Sequence, residues 1–171
     1  YMKSWERPPL VNGQINGRVF RDTKGGLTIG YGHYIPEHEK WKWRDYDPEQ
    51  GGTREMTLLD MENLFKRDVD LLAEVEIRKR FKVRLLQQEY DALVDFTFHR
   101  GGGALRESGL EGYINTISDG RYDYDKIKDQ FMKYAFWFNQ TTQQWEFVEG
   151  FSKRRKEEIN MFQFGIYTLH R

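Results

Sequence analysis

The sequence contains no cysteine. That excludes disulfide bonds, thiol nucleophiles and cysteine-held metal sites. Its four histidines, His33, His38, His99 and His170, show no metal-ligand spacing on one helix face. Neither sign of charge is in excess: 27 Lys plus Arg stand against 27 Asp plus Glu, a net charge of zero. A dedicated nucleic-acid binder carries a basic surplus, so nucleic acid is not expected as a partner. No apolar run is long enough to span a membrane, and no signal peptide is expected. The most informative scarcity is local. Residues 7 to 21 hold no Asp or Glu, which leaves Glu6 as the only acid ahead of Asp22.

A chain of 171 residues is expected to form one domain or two small lobes, and to bury about 70% of its unfolded surface. Aromatic residues make up 16%. Sugar sites use aromatic faces, but most of these rings are expected in the core.

Chemistry concentrates in residues 22 to 33, Asp-Thr-Lys-Gly-Gly-Leu-Thr-Ile-Gly-Tyr-Gly-His. The β-rich flanks, Arg18 to Arg21 and Leu27 to Ile29, enclose the turn Thr23-Lys24-Gly25-Gly26 and predict a tight hairpin. Such a hairpin brings Asp22 and Thr28 to one small space, where a carboxylate and a hydroxyl orient a water molecule for attack. Gly30 and Gly32 let another segment or a substrate come close to the backbone. The plainer alternative is a glycine-rich hairpin whose Asp22 only caps its turn. Glycosidic cleavage also needs a carboxylic acid on the leaving-group side. Glu6, which follows Trp5 and so has an indole beside it in sequence, is the candidate. Alone it reads as a solvated Glu near a chain end. Paired with the hairpin, it reads as a general acid.

Trp5-Glu6, Arg21-Asp22 and Thr28-Ile29-Gly30-Tyr31-Gly32-His33 together resemble the catalytic signature of the phage-type lysozymes of glycoside hydrolase family 24. Three later blocks resemble the family in the same order. They are Ala92 to Phe98 leading to Gly101 and Ser108, then Trp137-Phe138-Asn139-Gln140-Thr141, then Gly150-Phe151-Ser152-Lys153-Arg154-Arg155-Lys156-Glu157-Glu158. Three departures stand out. Asp22 lies sixteen residues after Glu6, farther than in the family, and Arg7 to Gly17 must house the excess. That stretch holds Pro8-Pro9, Asn12-Gly13 and Asn16-Gly17, which predict an enlarged loop or an extra hairpin. His99 stands where the family carries an amide; imidazole still donates and accepts hydrogen bonds. Only five residues precede Glu6, fewer than the family's first helix takes.

Elsewhere the pattern predicts elements. Pro36 to Gly52 reads as a surface excursion that carries Trp41 and Trp43, either stacking a sugar or pinning the loop to the core. Thr57 with Asp60 predicts an N-cap, and Leu58, Met61, Leu64, Phe65, Val69 and Leu72 follow at helical spacing. Further helices are expected over Gln87 to His99, stopped at Gly101-Gly102-Gly103, and over Leu110 to Ile117, Tyr124 to Phe136 and Ser152 to Phe162. The basic runs Arg78-Lys79-Arg80 and Lys153-Arg154-Arg155-Lys156 are expected on solvated helix faces, the alternative being a cleft edge that meets the carboxylates of peptidoglycan.

These expectations combine into an α+β, lysozyme-like fold with a small antiparallel sheet in the N-terminal lobe, a mostly helical C-terminal lobe and a cleft between. Lobe boundaries fall at about 56 and 80, with a linking helix from 57 to 80. The resemblance implies a muramidase that hydrolyses the β-1,4 bond between N-acetylmuramic acid and N-acetylglucosamine, with inversion. In that scheme Glu6 donates the proton, Asp22 stabilises positive charge and orients water, and Thr28 holds that water. Gly30, His33, His99, Asn139, Gln140 and Thr141 contact substrate. No metal or organic cofactor is expected, and the protein is expected to be a monomer that meets peptidoglycan in the bacterial wall or periplasm. Another domain, a holin or a secretion system would deliver it, as in an endolysin or an antibacterial toxin or effector. The alternative class is a non-catalytic module of the same fold that grips glycan or an immunity protein. The intact trio Glu6, Asp22 and Thr28 argues against it, because a pure binder has no use for that trio.

Overall fold

A computed structural model of the chain describes residues 1–22, 25–116 and 122–169. They form two compact units, Tyr1–Asp68 with Leu169, and Val69–Thr168.

The first unit begins with a single helical turn, α1 (Met2–Trp5), which ends as the Glu6 N–H donates to the Met2 carbonyl at 3.2 Å. The enlarged stretch after it forms a hairpin, β1 (Leu10–Val11) antiparallel to β2 (Gln14–Ile15). Its turn residues Asn12 and Gly13 have φ of 52° and 78°. That is the left-handed pair a two-residue turn demands and Asn-Gly supplies. Next comes a three-stranded antiparallel sheet of β3 (Phe20–Arg21), β4 (Leu27–Ile29) and β5 (His33–Tyr34), in that order. Leu27 and Ile29 join Val19, Ile35 and Leu64 in a buried cluster. Side chains alternate along a strand, so Thr28 faces the opposite side of the sheet. Burying a residue like Ile29 completely stabilises the unit by roughly 1.5–3 kcal/mol.

The excursion from Pro36 consists of short helical turns. They are 3-10 turns at Glu37–Glu39, Arg44–Tyr46 and Pro48–Gln50, and the helix α2 (Lys40–Trp43). Trp43 packs on the core cluster and pins the segment, whereas Trp41 is 73% exposed. Helix α3 (Leu58–Val69) starts at a reciprocal cap: the Asp60 N–H donates to Thr57 Oγ1 at 3.1 Å, and Asp60 Oδ2 accepts the Thr57 N–H at 3.1 Å. It runs through one π-helical turn, Asp70–Glu74, into α4 (Val75–Arg80).

The second unit packs α5 (Gln87–Glu107) on α8 (Glu149–Phe164), with α6 (Leu110–Asn115) and α7 (Tyr124–Met132) beside them. Phe96 meets the rings of Phe131 and Tyr134 edge to face, at centroid distances of 5.3 and 5.0 Å. The expected stop at Gly101 is a break rather than an end. Gly101 has φ 85° and ψ 157°, and the helix resumes because Leu105 has a buried place to fill. Of the helix expected to reach Ile117, the described part ends at Asn115, and residue 117 lies outside the described residues.

Two expectations need correction. Helix α7 does not reach Phe136. After one 3-10 turn the chain enters β6 (Phe136–Asn139), which pairs with β7 (Gln144–Phe147). Three consecutive aromatic residues favour strand, and cross-strand pairs Phe136–Phe147 and Phe138–Trp145 hold the hairpin. The second basic run is solvated only in part: Lys153 and Lys156 are exposed, but its two arginines are not. Arg154 and Arg155 are buried on α8, and Arg154 grips Asp95 of α5 through two bonds of 3.0 and 2.9 Å. Arg155 Nη2 donates to Glu158, whose carboxyl burial holds well above the usual carboxylate range against the opposing pull of Arg155. A paired arginine can enter a core where a lone one cannot.

Candidate active site

The hairpin between β3 and β4 closes on Asp22. Its N–H donates to the Gly26 carbonyl at 2.8 Å, and its own carbonyl accepts the Gly25 N–H at 3.0 Å. Its side chain takes part as well: Asp22 Oδ1 accepts the Gly26 N–H at 2.8 Å. Asp22 therefore does cap its turn, and the same bond fixes where its carboxylate points. A Cβ on Gly26 would stand 3.0 Å from Asp22 Oδ2 and 3.2 Å from the Tyr34 ring, so only glycine fits there without displacement. Thr28 Oγ1 lies 3.5 Å from the same Gly26 carbonyl, a long and weak bond. Thr28 is 5% exposed and pairs with Phe20 on one side and Tyr34 on the other. Both expected water-handling groups thus lie at Gly26, Asp22 through a firm bond and Thr28 through a weak one. Residues 23 and 24 of that turn lie outside the described residues.

Glu6 sits at the other end of β4. The turn after β4 carries Gly32 at φ 85°, and a Cβ there would stand 3.2 Å from Glu6 Oε2. The φ of 85° alone favours glycine here, and the missing side chain lets the Glu6 carboxylate come close. Gly30, at φ 58°, has a different neighbour: a Cβ on it would come within 3.3 Å of Met61 Cγ on α3. Of the two close approaches expected at Gly30, another segment or a substrate, the structure shows the first, helix α3.

His33 follows that turn as the first residue of β5. Its Nδ1 lies 2.7 Å from Asp68 Oδ2 on α3, and its ring packs 5.2 Å from the Trp43 ring. The two side chains are largely buried. The pair clamps the turn that supports Glu6 onto the helix that supports Gly30. Sequence reasoning passed over Asp68, although a signal existed. Met61, Leu64, Phe65 and Asp68 recur at helical spacing, and an acid on an apolar stripe requires a partner.

The remaining expected site residues belong to the second unit. His99 Nδ1 lies 3.1 Å from Arg155 Nη2, and its ring meets Phe151 edge to face at 5.1 Å. Asn139 builds the turn between β6 and β7. Its Oδ1 accepts the N–H groups of Thr141 and Thr142 at 2.8 and 3.2 Å, and its Nδ2 donates to Glu146 at 2.8 Å. The Gln140 carbonyl accepts from the Gln143 side chain at 2.7 Å. The Asn-Gln-Thr segment thereby has a local structural task that its sequence did not reveal.

A family model described as phage lysozyme matches residues 13–158. The match covers the Asp22 hairpin and begins after Glu6. An endolysin of Bacillus phage B103 is 30% identical over 143 residues; the aligned stretch is 84% of this chain and 45% of that protein, so the chain spans about half its length. Among solved structures, the endolysin from Escherichia coli O157:H7 phage FAHEc1 superposes with a TM-score of 0.73 at 22% identity, over 98% of this chain and 90% of that one. The muramidase domain of SpmX from Asticaccaulis excentricus superposes with a TM-score of 0.68 at 20% identity, over 95% and 91%. At such identities these likenesses establish the fold, α+β and lysozyme-like. No helix among the described residues is long and apolar enough to cross a membrane.

Proposed function

Because the chain belongs to the phage lysozyme family, we propose that it is an endo-acting, inverting N-acetylmuramidase of bacterial peptidoglycan. It cuts the β-1,4 bond between N-acetylmuramic acid and N-acetylglucosamine, and wall lysis follows. Glu6 protonates the glycosidic oxygen as the bond breaks. Asp22 stabilises the positive charge that develops on the sugar and orients a water molecule. Thr28 holds that water. The water's oxygen bonds to the anomeric carbon from the face opposite the departing sugar, and its proton passes to Asp22. One observation carries the reading: before β4 the Gly26 N–H holds the Asp22 carboxylate and the Gly26 carbonyl lies 3.5 Å from Thr28 Oγ1, and after β4 the Glu6 carboxylate lies against Gly32. We place its action at the bacterial wall, as a monomer, with delivery by another domain, a holin or a secretion system.

The products decide the bond. Purified peptidoglycan digested with the protein and reduced with borohydride should give fragments ending in N-acetylmuramitol by mass spectrometry. Ends of N-acetylglucosaminitol would reveal a glucosaminidase, and anhydro-muramyl ends a lytic transglycosylase. Either result overturns the proposal.

A further inference from the structure

The ribbon β6–β7 is amphipathic, yet its apolar face is exposed. Its register pairs Phe136 with Phe147, Phe138 with Trp145, Trp137 with Glu146 and Asn139 with Gln144. Side chains alternate along a strand, so Phe136, Phe138, Trp145 and Phe147 share one face, and Asn139, Gln144 and Glu146 belong to the other. Phe138 is half-buried, but Phe136, Trp145 and Phe147 are 39%, 67% and 58% exposed. A two-stranded ribbon is marginal in water on its own, and an exposed apolar face of this kind marks a contact surface.

Arg100 stands at the foot of the ribbon. Its Nη2 lies 3.5 Å from the Phe136 carbonyl oxygen, and its guanidinium carbon is 5.5 and 5.1 Å from the ring centroids of Tyr134 and Phe151. It has no carboxylate partner among the described residues. Glu158 contributes to its field, but that carboxyl is bonded to Arg155. Burial lowers the pKa of Arg100, and Arg155 lowers it further. A half-buried cation held by two rings and one weak bond is open to an anion.

These features select among occupants. The exposed rings offer on the order of 400 Å², about half of the ~800 Å² that a stable pair of proteins buries on each side. A second copy of the chain is therefore a poor fit. A sugar strand needs polar groups that converge on the stacking rings, and the four-ring face has none of its own. A bilayer surface needs neither. Aromatic side chains settle between headgroups and acyl chains, and a neighbouring arginine meets lipid phosphate.

We propose that the ribbon β6–β7 docks the protein on an anionic phospholipid bilayer, with the rings of Phe136, Phe138, Trp145 and Phe147 at the interface and Arg100 on a lipid phosphate. The contact is peripheral and spans nothing. It is separate from the cleavage chemistry and does not rest on the muramidase reading.

The test uses vesicles of phosphatidylglycerol and of phosphatidylcholine, read by co-sedimentation and by quenching of tryptophan fluorescence with brominated lipid. Wild-type protein should bind both and prefer phosphatidylglycerol. Arg100→Gln should lower that preference about fivefold, the factor expected of one basic residue near an anionic surface. Arg100→Lys should keep most of it. Trp145→Thr combined with Phe147→Thr keeps strand-forming residues and should weaken binding to both vesicles at least about tenfold. Trp145→Phe keeps a ring, so it should keep the binding and lose most of the quenching, which locates the ribbon without risk to the fold. Lysis of purified, lipid-free walls should be unchanged in the Trp145 and Phe147 variants. A wild-type protein that ignores both vesicles would overturn the proposal. So would full binding by the double variant, an unmoved preference in Arg100→Gln, or undiminished quenching in Trp145→Phe. Soluble glycan strands that displace the protein from vesicles, or wall lysis that falls in the double variant, would make the face a sugar platform instead. A concentration-dependent dimer that the double variant abolishes would assign the face to a second copy.

Discussion

Replacing Glu6 with Gln should lower the rate of wall lysis at least about a thousandfold, near the middle of the range attributed to a positioned general acid. A thousandfold corresponds to roughly 4 kcal/mol of transition-state stabilisation. The amide fills the space of the carboxyl and meets the same bare backbone at Gly32, so the fold should persist. What disappears is the proton that the leaving oxygen needs. Glycan affinity should therefore stay near that of the wild type while turnover collapses. Turbidity assays on purified walls, with calorimetric binding of wall fragments to the variant, separate the two effects. Activity within a few-fold of the wild type would remove Glu6 from the mechanism. The test is informative because the matched family region begins after Glu6 and so does not include the residue.

The second large effect concerns Asp22 and Thr28. Each single variant, Asp22→Asn and Thr28→Ala, should lose about a hundredfold or more, within the range seen when one catalytic interaction is removed. The double variant should lose far less than the product of the two. Groups that act on one water fail as a unit, and a second deletion then removes little that is left. This expectation starts from Gly26, whose N–H binds Asp22 Oδ1 at 2.8 Å and whose carbonyl lies 3.5 Å from Thr28 Oγ1. Lysis rates for the four proteins of the cycle give the coupling. Strictly multiplicative losses would mean that the two side chains serve separate tasks.

Much of the first unit was legible in the sequence, for identifiable reasons. Asn12-Gly13 specified its turn because few other pairs adopt two positive φ values cheaply. The hairpin from Asp22 to Thr28 was readable from β-rich flanks around glycines, and the α3 cap from Thr57 and Asp60. Residues whose meaning depends on a distant partner were not readable. Gly30 and Gly32 look alike in sequence, yet one admits Met61 and the other Glu6. His33 was singled out, but its partner Asp68 lies 35 residues away. Arg154 and Arg155 resemble any solvated basic run until Asp95 and Glu158 are placed against them. The hairpin Phe136–Phe147 was missed because Ile127, Phe131 and Tyr134 continue a helical period up to its first residue.

The anomeric configuration of the first product tests the central claim most directly. A carboxylate that attacked the sugar itself would form a covalent intermediate and retain configuration, with no task for a buried hydroxyl beside it. A site that holds a water between Asp22 and Thr28 inverts. Proton NMR of glycan strands during the first minutes of digestion distinguishes the anomers before mutarotation mixes them. Our account predicts an initial burst of the α anomer from the β-linked substrate. An initial burst of the β anomer would contradict it, making Asp22 the nucleophile and leaving Thr28 without the role assigned to it.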